Sequence, residues 1–332
     1  DSSLAALLLR DEGHDVVGVS LRLIPSAAGH EDAAMLCAAH GIPHHLLDVT
    51  DDFRREIITP FCEEYLRGRT PSPCVRCNPV MKFQRLSALA ESLGCDALAT
   101  GHYARVLVGP HGRRYIATGA DRIKDQSYFL CMLSRDDCAR VVFPLGPHLK
   151  EDIRRMALER GLHAAHRPES QEICFVPDGD YGAVIRDTLG SEPRPGDIID
   201  TGGHVIGRHR GIHRYTIGQR RGLGIAAPEP LYVLAIDPAS NTITAGTRER
   251  LLARGLFAAG INYMKAERLS GSVLVKIRST HTPARAHVEE GDGGVYARFS
   301  DGQPGVTPGQ AAVFYDEEGG VLAGAWIERA LQ

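Results

Sequence analysis

Apolar positions along this chain follow two rhythms. In the first part, apolar runs of strand length alternate with segments whose apolar residues recur every three or four positions, as in amphipathic helices. Residues 3–10 are apolar nearly all round and predict a short buried helix. Val16-Val17-Gly18-Val19 predicts a buried strand, residues 31–40 a helix stopped by Gly41-Ile42-Pro43, and residues 44–49 a second strand. Asp51-Asp52 is placed to cap a helix reaching Tyr65, with Pro60 kinking it or ending it early. A helix over 81–93 ends at Gly94, and a strand over 95–100 runs into Gly101-His102. Residues 103–118 read as a hairpin turning near 109–112, and 124–133 and 150–160 as helices. Strands alternating with helices point to an α/β unit with a mostly parallel sheet covered on both faces. Ligands on such sheets bind beyond the carboxyl ends of strands, which draws attention to Leu21 and to Gly101-His102.

After about Pro193 the rhythm changes. Short strands set between Gly and Pro turns are expected over 197–201, 231–237, 242–245, 273–278, 311–315 and 321–327. The expected order is an α/β domain over 1–192, a small central β-rich domain over 193–254 and a C-terminal β-barrel over 255–332. A length of 332 residues accommodates three such units. No apolar run approaches the roughly 20 residues that span a bilayer, so no membrane partner is expected. The first residues carry no basic segment of a signal peptide. Eight cysteines are too sparse here for a disulfide scaffold, so a reducing cytoplasm is the expected compartment. The net charge of −3 rules out a chain basic throughout and confines any nucleic-acid site to a local patch.

Such patches exist. Thr70-Pro71-Ser72-Pro73-Cys74-Val75-Arg76-Cys77-Asn78 reads as a loop in a stretch that, between Tyr65 and Ala90, has no acid but contains Arg67, Arg69, Arg76, Lys82 and Arg85. Nearby positive charge favours thiolate, the reactive form of cysteine, and attracts polyanions. Half of a structural zinc site is the bland alternative, but no second Cys/His pair follows at ribbon spacing. Cys174, in Glu169-Ser170-Gln171-Glu172-Ile173-Cys174-Phe175, is the other cysteine in a polar setting, whereas Cys37, Cys62, Cys95, Cys131 and Cys138 fall in helix or strand patterns as inert thiols. Cys74, Cys77 and Cys174 are therefore candidates for reactive thiols or a three-cysteine metal site. Asp1-Ser2-Ser3 opens a helix whose free N–H groups suit an anion. A first strand and a Gly-rich turn are expected just before such a helix, so the chain reads as lacking that part of a longer protein. Lys124-Asp125-Gln126-Ser127 is a helix-capping motif or a functional one. Residues 204–228 hold Arg208, Arg210, Arg214, Arg220 and Arg221 with Tyr215 and no acid, which suits phosphate contacts better than a solvated face.

With these segments in this order, the chain resembles the tRNA-specific 2-thiouridylases (MnmA). The resemblance runs nearly end to end and is carried by Asp1-Ser2-Ser3, residues 70–83, Ala99-Thr100-Gly101-His102-Tyr103-Ala104-Arg105, residues 124–130, 169–175 and 215–224, and Pro308-Gly309-Gln310-Ala311-Ala312-Val313-Phe314-Tyr315-Asp316. It implies a Rossmann-like N-type ATP-pyrophosphatase domain followed by the two β-rich domains. It implies ATP and Mg²⁺, a tRNA substrate whose wobble uridine becomes 2-thiouridine, and an upstream persulfide-carrying sulfur donor. By the same resemblance, Cys77 is the nucleophile and Cys174 carries persulfide sulfur. Asp1, Ser2, Ser3, Leu21 and Gly101 bind the nucleotide. Ser72, Pro73 and Cys74 surround the target base, and His102, Lys124, Asp125, Gln126, Arg278, Ser279 and Gln310 contact tRNA.

Departures from the family pattern matter. The start of the pyrophosphate loop is missing, Cys74 stands where well-known members carry Asp, and Ser279 where an aromatic residue is common. Cys74 opens a second route to the same product, through a [4Fe–4S] cluster held by Cys74, Cys77 and Cys174. Two other readings are an ATP-pyrophosphatase that amidates a small molecule, which needs no Cys77, and a non-catalytic tRNA-binding relative.

Overall fold

A computed structural model describes residues 1–25, 30–162, 173–176, 179–192 and 194–332; residues 169–172 of the Cys174 motif and Pro193 fall outside these. The first helix, α1 (Ser2–Asp11), buries Leu4, Ala5 and Leu7. The first strand, β1 (Gly18–Arg22), lies further along than expected. A Cβ at residue 18 would meet Cys37 Sγ at 2.7 Å, so glycine lets α2 (His30–Ala39) lie close against the strand. Strand β2 (His44–Asp48) then pairs with β1 in parallel.

Pro60 does not end its helix. Helix α3 (Thr50–Phe53) passes through a π-helical stretch, Arg54–Ile58, into α4 (Thr59–Leu66). The Thr59 N–H bonds Arg54 O, so the ladder is already widened where the proline ring supplies no donor. The same device recurs beside the thiols. The segment read as a loop is helical from α5 (Pro73–Cys77), and a π-helical stretch over Asn78–Phe83 carries it into α6 (Gln84–Ser92). Ser72 stands at the cap and Pro73 at the first helical position, where a missing N–H costs nothing.

Strand β3 (Leu98–Ala99) leads into the expected hairpin, β4 (Ala104–Val108) and β5 (Arg114–Thr118). The helix expected over 124–133 is only a 3₁₀ turn, Ser127–Leu130. The Asp125 carboxylate accepts from the Gly119 and Ser127 N–H groups and from Ser127 Oγ, which folds the chain back before a helix can propagate. After α7 (Arg135–Arg140), strand β6 (Val141–Val142) runs parallel to β3. Helices α8 (Lys150–Glu159) and α9 (Tyr181–Leu189) complete the α/β part.

Strands β7 (Gly196–Ile199), β8 (Val205–His209), β9 (Tyr232–Asp237) and β10 (Thr242–Gly246) form one sheet, ordered β8-β7-β10-β9. A closed six-stranded barrel follows, built from β11 (Leu252–Tyr263), β12 (Ser270–Lys276), β13 (Ala284–Gly291), β14 (Gly294–Pro304), β15 (Ala311–Tyr315) and β16 (Val321–Leu331). All five residues of β15 are buried. Ala312 and Phe314 fill the barrel, while Ala311, Val313 and Tyr315 pack with Val75, Phe83 and Tyr128 of the α/β part. Among the described residues no helix is long and apolar enough to cross a membrane.

The segment before α5 ties the three parts together. The Thr70 N–H donates to Pro308 O at 2.9 Å. Gln310 Nε2 donates to Thr70 O at 2.9 Å and to Pro71 O at 3.3 Å. Arg69 bridges Glu64 and the barrel's Glu328, each at 2.7 Å, and Thr70 Oγ1 reaches Thr216 Oγ1 of the central part at 3.4 Å. Gly309 has φ +91°, and a Cβ there would sit 2.9 Å from Thr70 O. Gly309→Ala is therefore expected to destabilise the protein by about 1–3 kcal/mol, because it meets both a left-handed backbone and a backbone oxygen. An unchanged denaturation midpoint would show that the junction is loose.

Candidate active site

Helix α5 carries two thiols one turn apart. Cys77 is buried and Cys74 exposed. Asn78 Nδ2 donates to Phe129 O at 2.8 Å and pins the end of the helix. Cys174 reaches this neighbourhood through the residue beside it. The Phe175 ring packs edge-on against Phe53 at 5.7 Å and Phe61 at 5.0 Å, in the same apolar cluster as Cys77 and Met81. Leu21, at the end of β1, packs against that cluster too. Thus Leu21, Cys77 and the segment bearing Cys174 converge. A nearby cavity of about 290 Å³ is lined by Ser72, Pro73, Arg76 and Trp326, with neither α5 thiol in its wall.

The electrostatics differ from the sequence expectation. Burial pushes the Cys77 thiol up to about 12, and Lys82 only partly offsets this. Cys74 and Cys174, whose side chains reach solvent, are also raised, first by the desolvation that the surrounding protein imposes on them, again with Lys82 pulling down. The acid-free stretch is not acid-free in space. Arg67 pairs with Glu63 and Glu64, Arg69 with Glu64 and Glu328, and Arg85 with Asp52 and Glu56, while Arg76 donates to Glu56 O. Of the five cations counted in the sequence, Lys82 is the one that acts on all three thiols.

A second group forms at the carboxyl end of β3. A Cβ on Gly101 would lie 2.8 Å from Ser2 N and 2.9 Å from Asp1 C, so only glycine admits this approach to the start of α1. Lys150 Nζ holds Asp1 Oδ1 at 3.1 Å, and Tyr103 Oη donates to the same oxygen at 2.9 Å. Asp1, Ser2 and Gly101 are therefore contiguous, with Ser3 in the first turn of α1. His102 lies between the Phe83 and Phe143 rings, each 5.9 Å away, and its Nδ1 is 2.7 Å from Thr100 Oγ1.

The remaining expected contact residues stand apart from the thiols, and several have structural partners. Gln126 exchanges hydrogen bonds with the Tyr103 backbone through its side-chain oxygen at 2.9 Å and its own N–H at 2.8 Å. Asp125 holds the turn described above and faces Lys276 of β12 at 3.9 Å. The Lys124 N–H donates to Asp121 Oδ1. Gln310 holds Thr70 and Pro71. Arg278 and Ser279 are half-buried beyond the end of β12, Arg278 donating to Pro304 O at 3.4 Å. In the basic run, Arg208 faces Asp197 and Arg214 faces Asp180, whereas Arg210, Arg220 and Arg221 are exposed without a carboxylate partner among the described residues. Sequence reasoning did not single out Lys82, Lys150 or Phe175. Only the basic character of Lys82 was visible, because pairing partners come from distant segments.

Among the described residues no group of three His, Cys, Asp or Glu side chains is placed to hold a metal ion.

The fold and this thiol-bearing site define a three-part protein with a HUP-type α/β domain and two β modules. Three family models match it in sequence order: a tRNA methyl transferase HUP domain over residues 1–178, a tRNA methyl transferase PRC-barrel domain over 183–247 and an aminomethyltransferase beta-barrel domain over 253–327. The tRNA-specific 2-thiouridylase MnmA of Syntrophotalea carbinolica is 46% identical over 338 residues, covering 98% of this chain and 95% of that protein. Those of Geobacter metallireducens and Trichlorobacter lovleyi are 42% and 44% identical, covering 100% and 99% of this chain and 95% of each relative. The chain belongs to the tRNA-specific 2-thiouridylase (MnmA) family.

Burial and the nearby Lys82 ammonium push the His102 imidazole from 6.5 down to about 3. The unfolded chain therefore binds this proton first as pH falls. Stability owed to the neutral ring is complete above pH 6.5 and is lost as pH drops towards about 3. A His102→Gln variant is expected to lose less stability over this range than the parent, read from urea midpoints at each pH. Equal losses would assign the acid sensitivity elsewhere.

Proposed function

We propose that this chain is a tRNA-uridine 2-sulfurtransferase that makes 2-thiouridine at the wobble position using ATP. The observation that carries this reading is the convergence of Cys77 with the Cys174 segment beside Lys82, next to a Gly101–α1 cradle.

ATP supplies the activation of the uracil 2-oxygen, turning a poor leaving group into a good one. Ser2, Ser3 and Gly101 fit its phosphates, since the Gly101 approach leaves the opening N–H groups of α1 free of side-chain crowding. Leu21 lines the apolar side, and Asp1, held by Lys150, closes the cradle. Mg²⁺ would accompany the nucleotide and offset the charge of its phosphates.

The protein's part in sulfur transfer runs through Cys174 and Cys77. A persulfide-carrying donor protein passes its outer sulfur to Cys174. The Cys77 thiolate attacks the inner sulfur of that persulfide and displaces HS⁻, which adds at C2 of the adenylated uracil and expels the 2-oxygen as part of AMP. The Cys77–Cys174 disulfide left behind is reopened by two electrons from cellular thiols. Ser72, Pro73 and Cys74 face the flipped base, and unstacked loop bases suit such recognition. Lys124, Arg278 and the exposed Arg210, Arg220 and Arg221 attract the tRNA backbone. Asp125, Gln126 and Gln310 serve this surface by holding the backbone behind it. His102 presents a neutral ring and Ser279 a small hydroxyl.

Cys77→Ser and Cys174→Ser are each expected to lower 2-thiouridine formation by about 10³-fold or more, measured by mass spectrometry of digested tRNA after incubation with ATP and a persulfide donor. Cys74→Ser is expected to retain much of the activity. Full turnover by Cys77→Ser would refute the relay, and loss with Cys74→Ser equal to that with Cys77→Ser would favour a three-cysteine cluster.

A further inference from the structure

Lys82 follows Cys77 by five residues in the stretch where the helix widens into π geometry. Along an ordinary α-helix five residues would swing its side chain about 140° away from that of Cys77. An i→i+5 hydrogen-bonded turn brings the same spacing back towards one face. The bond from the Gln84 N–H to Pro79 O shows that spacing here, and Pro79 itself supplies no donor to a tighter ladder. The next residue, Phe83, is fully buried against His102 and Phe143 and fixes the rotation of the stretch. The π turn thus aims a lysine at the thiols where an α-turn would aim it elsewhere.

No carboxylate competes for that lysine among the described residues, and it has no hydrogen-bond partner there. The groups on which its charge acts come from three elements: Cys74 and Cys77 from α5, Cys174 from the segment before α9, and His102 from the loop after β3. His102 is neutral in the working range, and Arg76 and Arg85 are turned to Glu56 and Asp52. Lys82 is therefore the positive charge left to face a sulfur anion in a site whose burial disfavours one.

We propose that Lys82 is the positioning residue of the sulfur-transfer step, its ammonium holding the anions of Cys77 and of Cys174, as thiolate or persulfide. This rests on the sulfur-transfer reading above and adds a residue to it. The lysine forms no bond to sulfur; its charge offsets the cost of taking a thiolate out of water.

The test is alkylation of the full chain by iodoacetamide across a pH series, with Cys77 and Cys174 peptides quantified by mass spectrometry. Thiolate attacks the reagent carbon and iodide leaves, so the rate reports the thiolate fraction. Lys82→Gln is expected to slow both cysteines several-fold at a given pH and displace both profiles to higher pH, with Cys95 unchanged. Lys82→Arg is expected to restore both. Lys82→Met keeps the stem's packing and stands in for Lys82→Gln if that variant does not fold. Profiles that superimpose on the parent's, or an Arg variant as slow as the neutral ones, would overturn the proposal. The alkylation needs neither ATP nor tRNA, so its failure is distinct from failure of the thiouridine assay.

Discussion

Everything at the thiol site hangs from the short segment between α4 and α5. Thr70 is held on both sides, its N–H by Pro308 O and its carbonyl by Gln310, while Arg69 is fixed between a carboxylate of α4 and one of the barrel. Charge-assisted and partly buried bonds of this kind are stronger than surface pairs. They set where α5 begins, and hence where Cys74 and Cys77 point. The barrel is thus part of the active-site frame even though it contributes no thiol. The route runs through β15, whose one face completes the barrel core while the other packs on Val75 and Phe83.

Burial and charge oppose each other at the cysteines, and burial is the larger effect. The sequence shows five basic residues around the thiols, which on charge alone would make them acidic. In the fold Glu63, Glu64, Glu328, Asp52 and Glu56 pair with Arg67, Arg69 and Arg85, and Arg76 donates to the Glu56 backbone carbonyl. What remains at the thiols is the Lys82 ammonium against desolvation, and at Cys77 desolvation is the larger of the two.

The architecture was legible because it rests on periodicity. The helix–strand alternation, the hairpin ending at Thr118 and the change to short strands each reflect which residues must be buried. Local expectations failed where one contact overrode propensity. Pro60 reads as a helix breaker, yet a π stretch absorbs it. Residues 124–133 read as a helix, yet the Asp125 carboxylate closes a turn. The segment 70–78 reads as a loop because of its prolines, yet Pro73 occupies the one helical position that suits it. Within the candidate site, Cys77, Cys174 and Gly101 could be named from residue type and position. Their electrostatics could not, because charge pairing here joins residues far apart in the chain.

The two π stretches give these departures a common physical basis. Each coincides with a proline, Pro60 following the first and Pro79 lying within the second, and each replaces a missing i→i−4 bond with a wider one. A wider turn changes the angle between successive side chains, so the residues after it face differently from those of a continuous α-helix. After the first stretch Ile57 and Phe61 both enter the apolar cluster that anchors Phe175. In the second, Met81 and Phe83 are buried in different clusters while Lys82, between them, stays partly exposed. Proline placement, usually read as punctuation, here sets the direction of side chains, and through it which single charge meets the sulfur.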